Sequence, residues 1–229
     1  MNRIEQVNMK PHYSCPLCGS VSTEFYWQDK RRHYWHCQHC HLVFVLPEFF
    51  LSPALEKAEY DKHDNTQLDG GYRRFLNRTL APLVDYYQSK SRPLAELSGL
   101  DFGCGEGAFL SQMALEQGLT VANYDLFYHH NPGLLHRQYD FIVMTEVLEH
   151  IASPADLFVQ LQQSLKPQGV IAIMTKRVLD KSAFATWHYK NDPTHICFYS
   201  EATFQWLAQQ FGLAMQLVDK DVVFLIANS

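Results

Sequence analysis

Residues 101–107 read Asp-Phe-Gly-Cys-Gly-Glu-Gly, directly after an apolar run and directly before a helical pattern. A strand that ends in closely spaced glycines and opens a helix constrains the fold more than any other stretch of this chain. The glycines permit a tight turn and let a ligand approach the backbone. The helix start presents N–H groups that lack intrahelical partners. Asp125 follows Gly105 by 20 residues, at the end of the next apolar run. A carboxylate in that place can accept both hydroxyls of a ribose.

The rest of residues 97–228 alternates short apolar runs with helical patterns, which predicts an α/β fold with a mostly parallel, Rossmann-like sheet. Leu97–Phe102, Leu119–Tyr124, Tyr139–Thr145 and Val170–Thr175 read as strands. Tyr139–Thr145 is apolar on both faces and therefore central. Glu106–Gln117 reads as a helix. Ser153, Pro154 and Asp156 open another as N-cap, first position and capping-box acid, with Leu157, Phe158, Leu161 and Leu165 facing inward. Pro167 and Gly169 should end it. Ser200 caps a last helix that stops at Gly212, and Leu213–Val218 with Val222–Ala227 form a closing antiparallel hairpin. Upstream, Tyr72, Phe75, Leu76, Leu80, Leu83 and Tyr87 recur at three- and four-residue steps, one face of a helix that Pro82 should kink.

The turn sequence also fits a dinucleotide fingerprint, with Ala108 as the third small residue. The charge of Asp101 separates the two ligands. A nicotinamide cofactor brings a pyrophosphate, which an acid at the turn repels. S-adenosylmethionine brings an ammonium and a sulfonium, which an acid attracts.

Cys15-x-x-Cys18 and Cys37-x-x-Cys40 have the spacing of a four-thiolate structural zinc site. Four protein ligands leave no open position, so the metal is structural. His33, His36, His39 and His41 crowd the site, and His39 lies inside the second knuckle. The chain divides into a zinc-ribbon-like module over 1–46, a helical linker or lid over 47–92, and a cofactor-binding domain over 93–229. Residues 1–46 hold five Lys/Arg against three Asp/Glu, while the whole chain has net charge −5. The first twelve residues lack the apolar core of a signal peptide, and no run is long enough to span a membrane. A cytoplasmic place is expected, where thiols stay reduced.

The stretch DFGCGEGAFL resembles the first motif of class I S-adenosylmethionine-dependent methyltransferases. YDFIVMTEVLEHI followed by LxxLKPxG resembles their later motifs, in particular those of the group that includes ubiquinone-type methylases. An N-terminal zinc module before a helical stretch is also similar to certain sugar C-methyltransferases. The resemblance implies that Asp101, Gly103, Gly105 and Gly107 line the methionine end of the cofactor. It further implies that Asp125 holds the ribose, and that Thr145 and Glu146 flank the cofactor. One departure is plain. Leu126–Gln138 leaves 13 residues where the family has a helix, a third strand and a helix. The sheet is therefore shortened there, and adenine rests on something else, with Phe127, Tyr128 and His129 as candidates.

Catalytic bases are expected on loops at the C-terminal ends of the strands. His150 stands four residues after Glu146. The long segment Lys176–Tyr199 carries His188 and His195 with Trp187, Tyr189 and Asp192. These three histidines are the candidate bases, and Arg73, Arg74 and Arg78 could meet an anionic acceptor. The leading expectation is transfer of a methyl group to a small molecule. RNA methylation, with Lys30-Arg31-Arg32 as the contact, and a non-catalytic cofactor- and zinc-binding protein are the alternatives.

Overall fold

The computed structural model describes residues 13–62 and 69–228. Residues 1–12 of the expected N-terminal module, 63–68 of the expected helical stretch and Ser229 lie outside the described residues. The chain runs through strands β1 (Thr23–Gln28), β2 (His33–Cys37) and β3 (Val43–Val45), then helices α1 (Pro53–Tyr60) and α2 (Gly70–Ser89). Strand β4 (Ser98–Phe102), helix α3 (Phe109–Glu116), β5 (Thr120–Tyr124), β6 (Tyr139–Thr145), α4 (Pro154–Gln163) and β7 (Leu165–Met174) follow. Helix α5 (Lys181–Thr186), β8 (Cys197–Phe198), α6 (Glu201–Phe211), β9 (Leu213–Leu217) and β10 (Val222–Ala227) complete it.

The larger sheet has the order β5-β4-β6-β7-β10-β9. Strands β5, β4, β6 and β7 pair in parallel, and β10 is antiparallel to both of its neighbours. Strand β6 sits between β4 and β7 with six of its seven residues buried, which is why it is apolar apart from Asp140 near its start, paired with Arg92 and Lys166, and Thr145 at its end. Between β5 and β6 the chain forms only a short 3-10 turn, Pro132–His136, so β5 lies at the sheet edge. The shortening around the third strand is therefore real.

One face of the sheet is covered by α2. Leu76, Leu80, Leu83 and Tyr87 pack with Phe141, Val143, Ala172 and Phe224. Each such leucine contributes about 1.5–3 kcal/mol by burial. Helix α2 runs from Gly70 to Ser89 without interruption, Pro82 included. Tyr72 and Phe75, at its N-terminal end, are only half-buried because there the helix overhangs the strand ends.

Two local expectations need correction. Ser153 makes no side-chain cap, although Pro154 takes the first position of α4. That helix also stops at Gln163, and β7 begins at Leu165, so Pro167 and Gly169 lie in the strand rather than beyond a helix end. At α6 the reciprocal cap does form, between Ser200 and Thr203, and Gly212 closes the helix in the left-handed conformation.

The smaller sheet has the order β1-β2-β3-β8. Its first three strands come from the cysteine-rich segment and its fourth from the segment before α6. Val43 pairs with Phe198 and Phe44 with Cys197. Lys176–Tyr199 is thus no plain loop. It contains α5, a 3-10 turn at His188–Asn191 and the strand that extends the cysteine module's sheet.

Candidate functional site

A cavity of about 690 Å³ opens at the C-terminal ends of β4, β5 and β6. Asp101–Gly105 form its floor, Tyr124–Tyr128 one side and Thr145–Val147 the other. Helices α1 and α2 close over it with Glu56, Tyr60, Tyr72 and Phe75, and His150, Asp192 and His195 form the far wall. The overhanging aromatics of α1 and α2 were hidden in the sequence. Their periodicity reports a buried face, not which end of the helix leaves the sheet.

The glycine turn is built as its sequence demands. Gly103 has φ +78°, and a Cβ there would lie 2.5 Å from a methyl of Val147. The N–H groups of Gly103 and Cys104 donate to the Tyr124 carbonyl at 2.8 and 3.2 Å. Asp125 is pinned beside the turn. Its Oδ2 accepts from the Gly105 N–H at 3.0 Å, and its Oδ1 accepts from the Phe127 and Tyr128 N–H groups at 2.8 and 3.1 Å. Gly107 does not line the cavity. Its carbonyl instead accepts from the Gln112 side chain at 2.9 Å. His129 is likewise turned aside, with Nε2 3.0 Å from the Glu106 carbonyl.

Asp101 is the anomaly on the floor. It is 1% exposed, and its Oδ1 has no hydrogen-bond partner among the described residues. Burial, then the charge of Asp125, pushes its carboxyl up to about 7. An unpaired buried carboxylate is costly, so this arrangement fits a cation delivered by a ligand. Glu146, after β6, adopts φ +53°, a left-handed conformation rare outside glycine and common at ligand sites. Burial, then Glu149, raises its carboxyl to about 8.

The far wall is fully tied. Glu149, wholly buried, accepts from Thr175 Oγ1 at 2.9 Å and from the Tyr189 hydroxyl. Burial pushes it up to about 7. His195 Nδ1 donates to the Tyr189 carbonyl at 2.7 Å, because a carbonyl only accepts. Its Nε2 lies 3.8 Å from Asp192 Oδ2. Burial, then His150, holds its imidazole down to about 3, so the ring is neutral. His150 directs Nδ1 at the Thr194 carbonyl, 3.3 Å away, and its ring centre is 4.7 Å from that of His195. His188 is not part of this wall. It is exposed, with Nε2 3.1 Å from Lys176 Nζ. Two of the three arginines of α2 are also engaged elsewhere: Arg73 with Glu116 at 2.6 Å, and Arg78 with Asp219 and Asp221 at 2.7 and 2.9 Å.

The family model for a methyltransferase domain matches residues 70–218, which contain the floor, both sides and the far wall. This chain belongs to that methyltransferase family. A ubiquinone biosynthesis O-methyltransferase of Rickettsia prowazekii is 26% identical over 146 residues, covering 53% of this chain and 58% of that protein. One from Histophilus somni is 26% identical over 120 residues, covering 40% of this chain and 50% of its own. The chain thus spans between half and three fifths of those relatives' lengths. The Burkholderia thailandensis 1,6-didemethyltoxoflavin-N1-methyltransferase superposes with a TM-score of 0.49 at 14% identity, over 90% of this chain and 100% of that one.

Outside the matched region, the sulfurs of Cys15, Cys18, Cys37 and Cys40 lie within 4.8 Å of one another. Cys15 and Cys40 are 3.5 Å apart, and Cys18 and Cys37 are 3.4 Å apart. Four thiolates about 2.3 Å from one zinc ion have comparable mutual spacing. The donor set therefore fits structural zinc held by Cys15, Cys18, Cys37 and Cys40. His39 contributes its backbone N–H to Cys37 Sγ at 3.4 Å, and its ring packs on Trp206.

Proposed function

We propose that this methyltransferase domain moves a methyl group from S-adenosylmethionine to a small-molecule acceptor by in-line displacement. The observation that carries the reading is Asp101, a buried carboxylate with an unpartnered oxygen on the cavity floor. The ammonium of the cofactor's methionine end is the cation it lacks. Asp125, held by three backbone N–H groups, keeps lone-pair capacity for the ribose hydroxyls. Gly103 and Gly105 let the methionine end approach, Thr145 and Glu146 flank it, and Phe127 and Tyr128 offer aromatic faces to adenine.

The bound cofactor supplies a methyl group on a sulfonium, so the protein has only to align a nucleophile and receive its proton. His150 is the stronger candidate base. His195 is held neutral by a basicity too low to capture a proton near neutral pH. Its part is to frame His150 together with Asp192. His188, outside the wall, has no such role.

Among the described residues, five that line the cavity carry carboxyl groups, Glu56, Asp101, Asp125, Glu146 and Asp192, and none is Lys or Arg. Such a lining repels a phosphate backbone and supports a small acceptor over RNA. The names of the matched relatives favour a hydroxyl as the nucleophile. Calorimetry with S-adenosylhomocysteine tests the reading. One site per chain is expected, weakened at least tenfold by Asp101→Asn, and absence of binding to the native protein overturns it.

A further inference from the structure

The turn between β1 and β2 reaches across to the far wall of the cavity. Arg32, at this turn, is 6% exposed. Its guanidinium donates to four backbone carbonyls. Nη1 reaches those of Pro193 and His195 at 3.1 and 2.8 Å, and Nη2 reaches that of Asp192 at 2.8 Å and that of Lys190. All four acceptors belong to one six-residue stretch. A rigid planar fork with several donors can gather carbonyls in this way, whereas an ammonium presents its donors from a single point.

The turn that carries Arg32 is itself fixed. Asp29 Oδ1 accepts from the N–H groups of Arg31 and Arg32 at 2.8 and 2.9 Å, and Oδ2 accepts from the Tyr34 hydroxyl at 2.7 Å. Burial raises the Asp29 carboxyl, but the Tyr34 hydroxyl and these N–H groups outweigh it and hold it below the usual range. Two further module side chains reach the same stretch, each with one contact: Arg31 Nη1 donates to the Asn191 carbonyl at 3.4 Å and the Tyr34 hydroxyl lies 3.3 Å from the Lys190 carbonyl. The β3–β8 pairing covers two residue pairs, and the backbone link before it is Val45 N–H to the Ile196 carbonyl at 2.9 Å. Asp192 and His195 turn their side chains into the cavity from the same stretch whose carbonyls surround Arg32. The Thr194 carbonyl, between them, meets His150.

We propose that Arg32 is a positioning residue for the acceptor side of the site. It curls residues 190–195 around its guanidinium, and that curl sets His195, Asp192 and, through Thr194, His150. The cysteine module is then a working part of the cavity wall, and its metal stiffens that wall from behind. The inference rests on the reading of the cavity as a cofactor and acceptor site. A purely structural role would leave Arg32 docking the module without shaping the wall.

The test compares the native protein with Arg32→Met, Arg32→Lys and the milder Tyr34→Phe, which keeps the buried ring. Three readouts are taken: bound zinc per chain, S-adenosylhomocysteine affinity by calorimetry, and the wall by hydrogen exchange and the ring cross-peaks of His150 and His195. Arg32→Met should keep one zinc and hold affinity within about threefold, while exchange over 189–196 rises roughly tenfold or more and both ring peaks move. Arg32→Lys should restore part of the change, and Tyr34→Phe should show a smaller change of the same kind. Unmoved ring peaks and unchanged exchange in Arg32→Met and Tyr34→Phe would overturn the proposal. So would loss of zinc or of S-adenosylhomocysteine binding in step with the wall, since Arg32 would then serve general folding. Native protein that binds no S-adenosylhomocysteine refutes the functional reading alone, because the zinc, exchange and peak comparisons stand without it.

Discussion

The floor and the far wall of the cavity are built on opposite plans. On the floor Asp101 is buried with an oxygen unpartnered among the described residues, on the side next to it Glu146 sits in a strained conformation, and burial raises both carboxyls. On the far wall Glu149 and His195 each have a partner, and Arg32 is satisfied by four carbonyls. The strands can leave the floor polar and incomplete because β4 and β6 are rigid, central and anchored elsewhere. The wall has no such scaffold, so it must satisfy its own groups. The difference teaches that unsatisfied polarity marks where a ligand completes the protein, and satisfied polarity marks where the protein completes itself.

The largest expected effect is on the wall. Cys37→Ser should abolish stoichiometric zinc and unfold residues 13–46, since structural zinc supplies roughly 10–16 kcal/mol of binding energy in small modules. Metal analysis and hydrogen exchange check this. Beside the floor, Asp125→Ala should weaken S-adenosylhomocysteine binding by about 1.5–3 kcal/mol, the range for hydrogen bonds to a charged group. Unchanged affinity by calorimetry would break the contrast between floor and wall. Gly103→Ala should destabilise the fold by about 1–3 kcal/mol, because its Cβ meets Val147 and the backbone is left-handed. Urea unfolding reads this directly.

A pH series sharpens the comparison further. The Asp101 carboxyl titrates at about 7 in the native state against 3.8 ordinarily. Between these values the native state keeps a proton that the unfolded chain has released. The contribution of Asp101 to stability therefore falls as pH rises through that window. Asp101→Asn should accordingly melt higher than the native protein near pH 8, by a few degrees, with the gap closing near pH 4. Saturating S-adenosylhomocysteine should reverse the order near pH 8. The smallest effect is expected from His188→Ala, within about 0.5 kcal/mol in stability and with affinity unchanged. A tenfold loss of affinity would return His188 to the site.

The floor was the legible part of the molecule. A strand, glycines and a helix start lie within a dozen residues, so local chemistry dictates the turn and puts Asp101 and Gly103 on the cavity. The closing hairpin and the Ser200 and Gly212 caps were readable for the same reason. The wall was readable only in part: His150, Asp192 and His195 stood out as candidates and do line the cavity, but what holds them there did not. Arg32 appears in sequence as one of three adjacent charges, a solvated tip or an RNA contact, because its partner Pro193 lies 161 residues away. His188 and His195 look alike in a polar segment, and only the carbonyl that captures His195 Nδ1 separates them. The arginines of α2 suggested an anion site for a similar reason, since Asp219 and Asp221 come from the other end of the chain.

The pairing of β3 with β8 also bears on how the polypeptide is made. The four cysteines emerge from the ribosome close together and well before Cys197 and Phe198, so they can capture their metal before that segment is made. The sheet they support cannot acquire its fourth strand until Cys197 and Phe198 have been translated. Until then β3 offers an open edge, and Arg32 is a cation whose carbonyl partners do not yet exist. Such delayed, long-range closure slows folding and leaves a nascent strand exposed to wrong partners. The segment that finally covers this edge is the one that brings Asp192 and His195, so the edge stays open until that part of the far wall has been made.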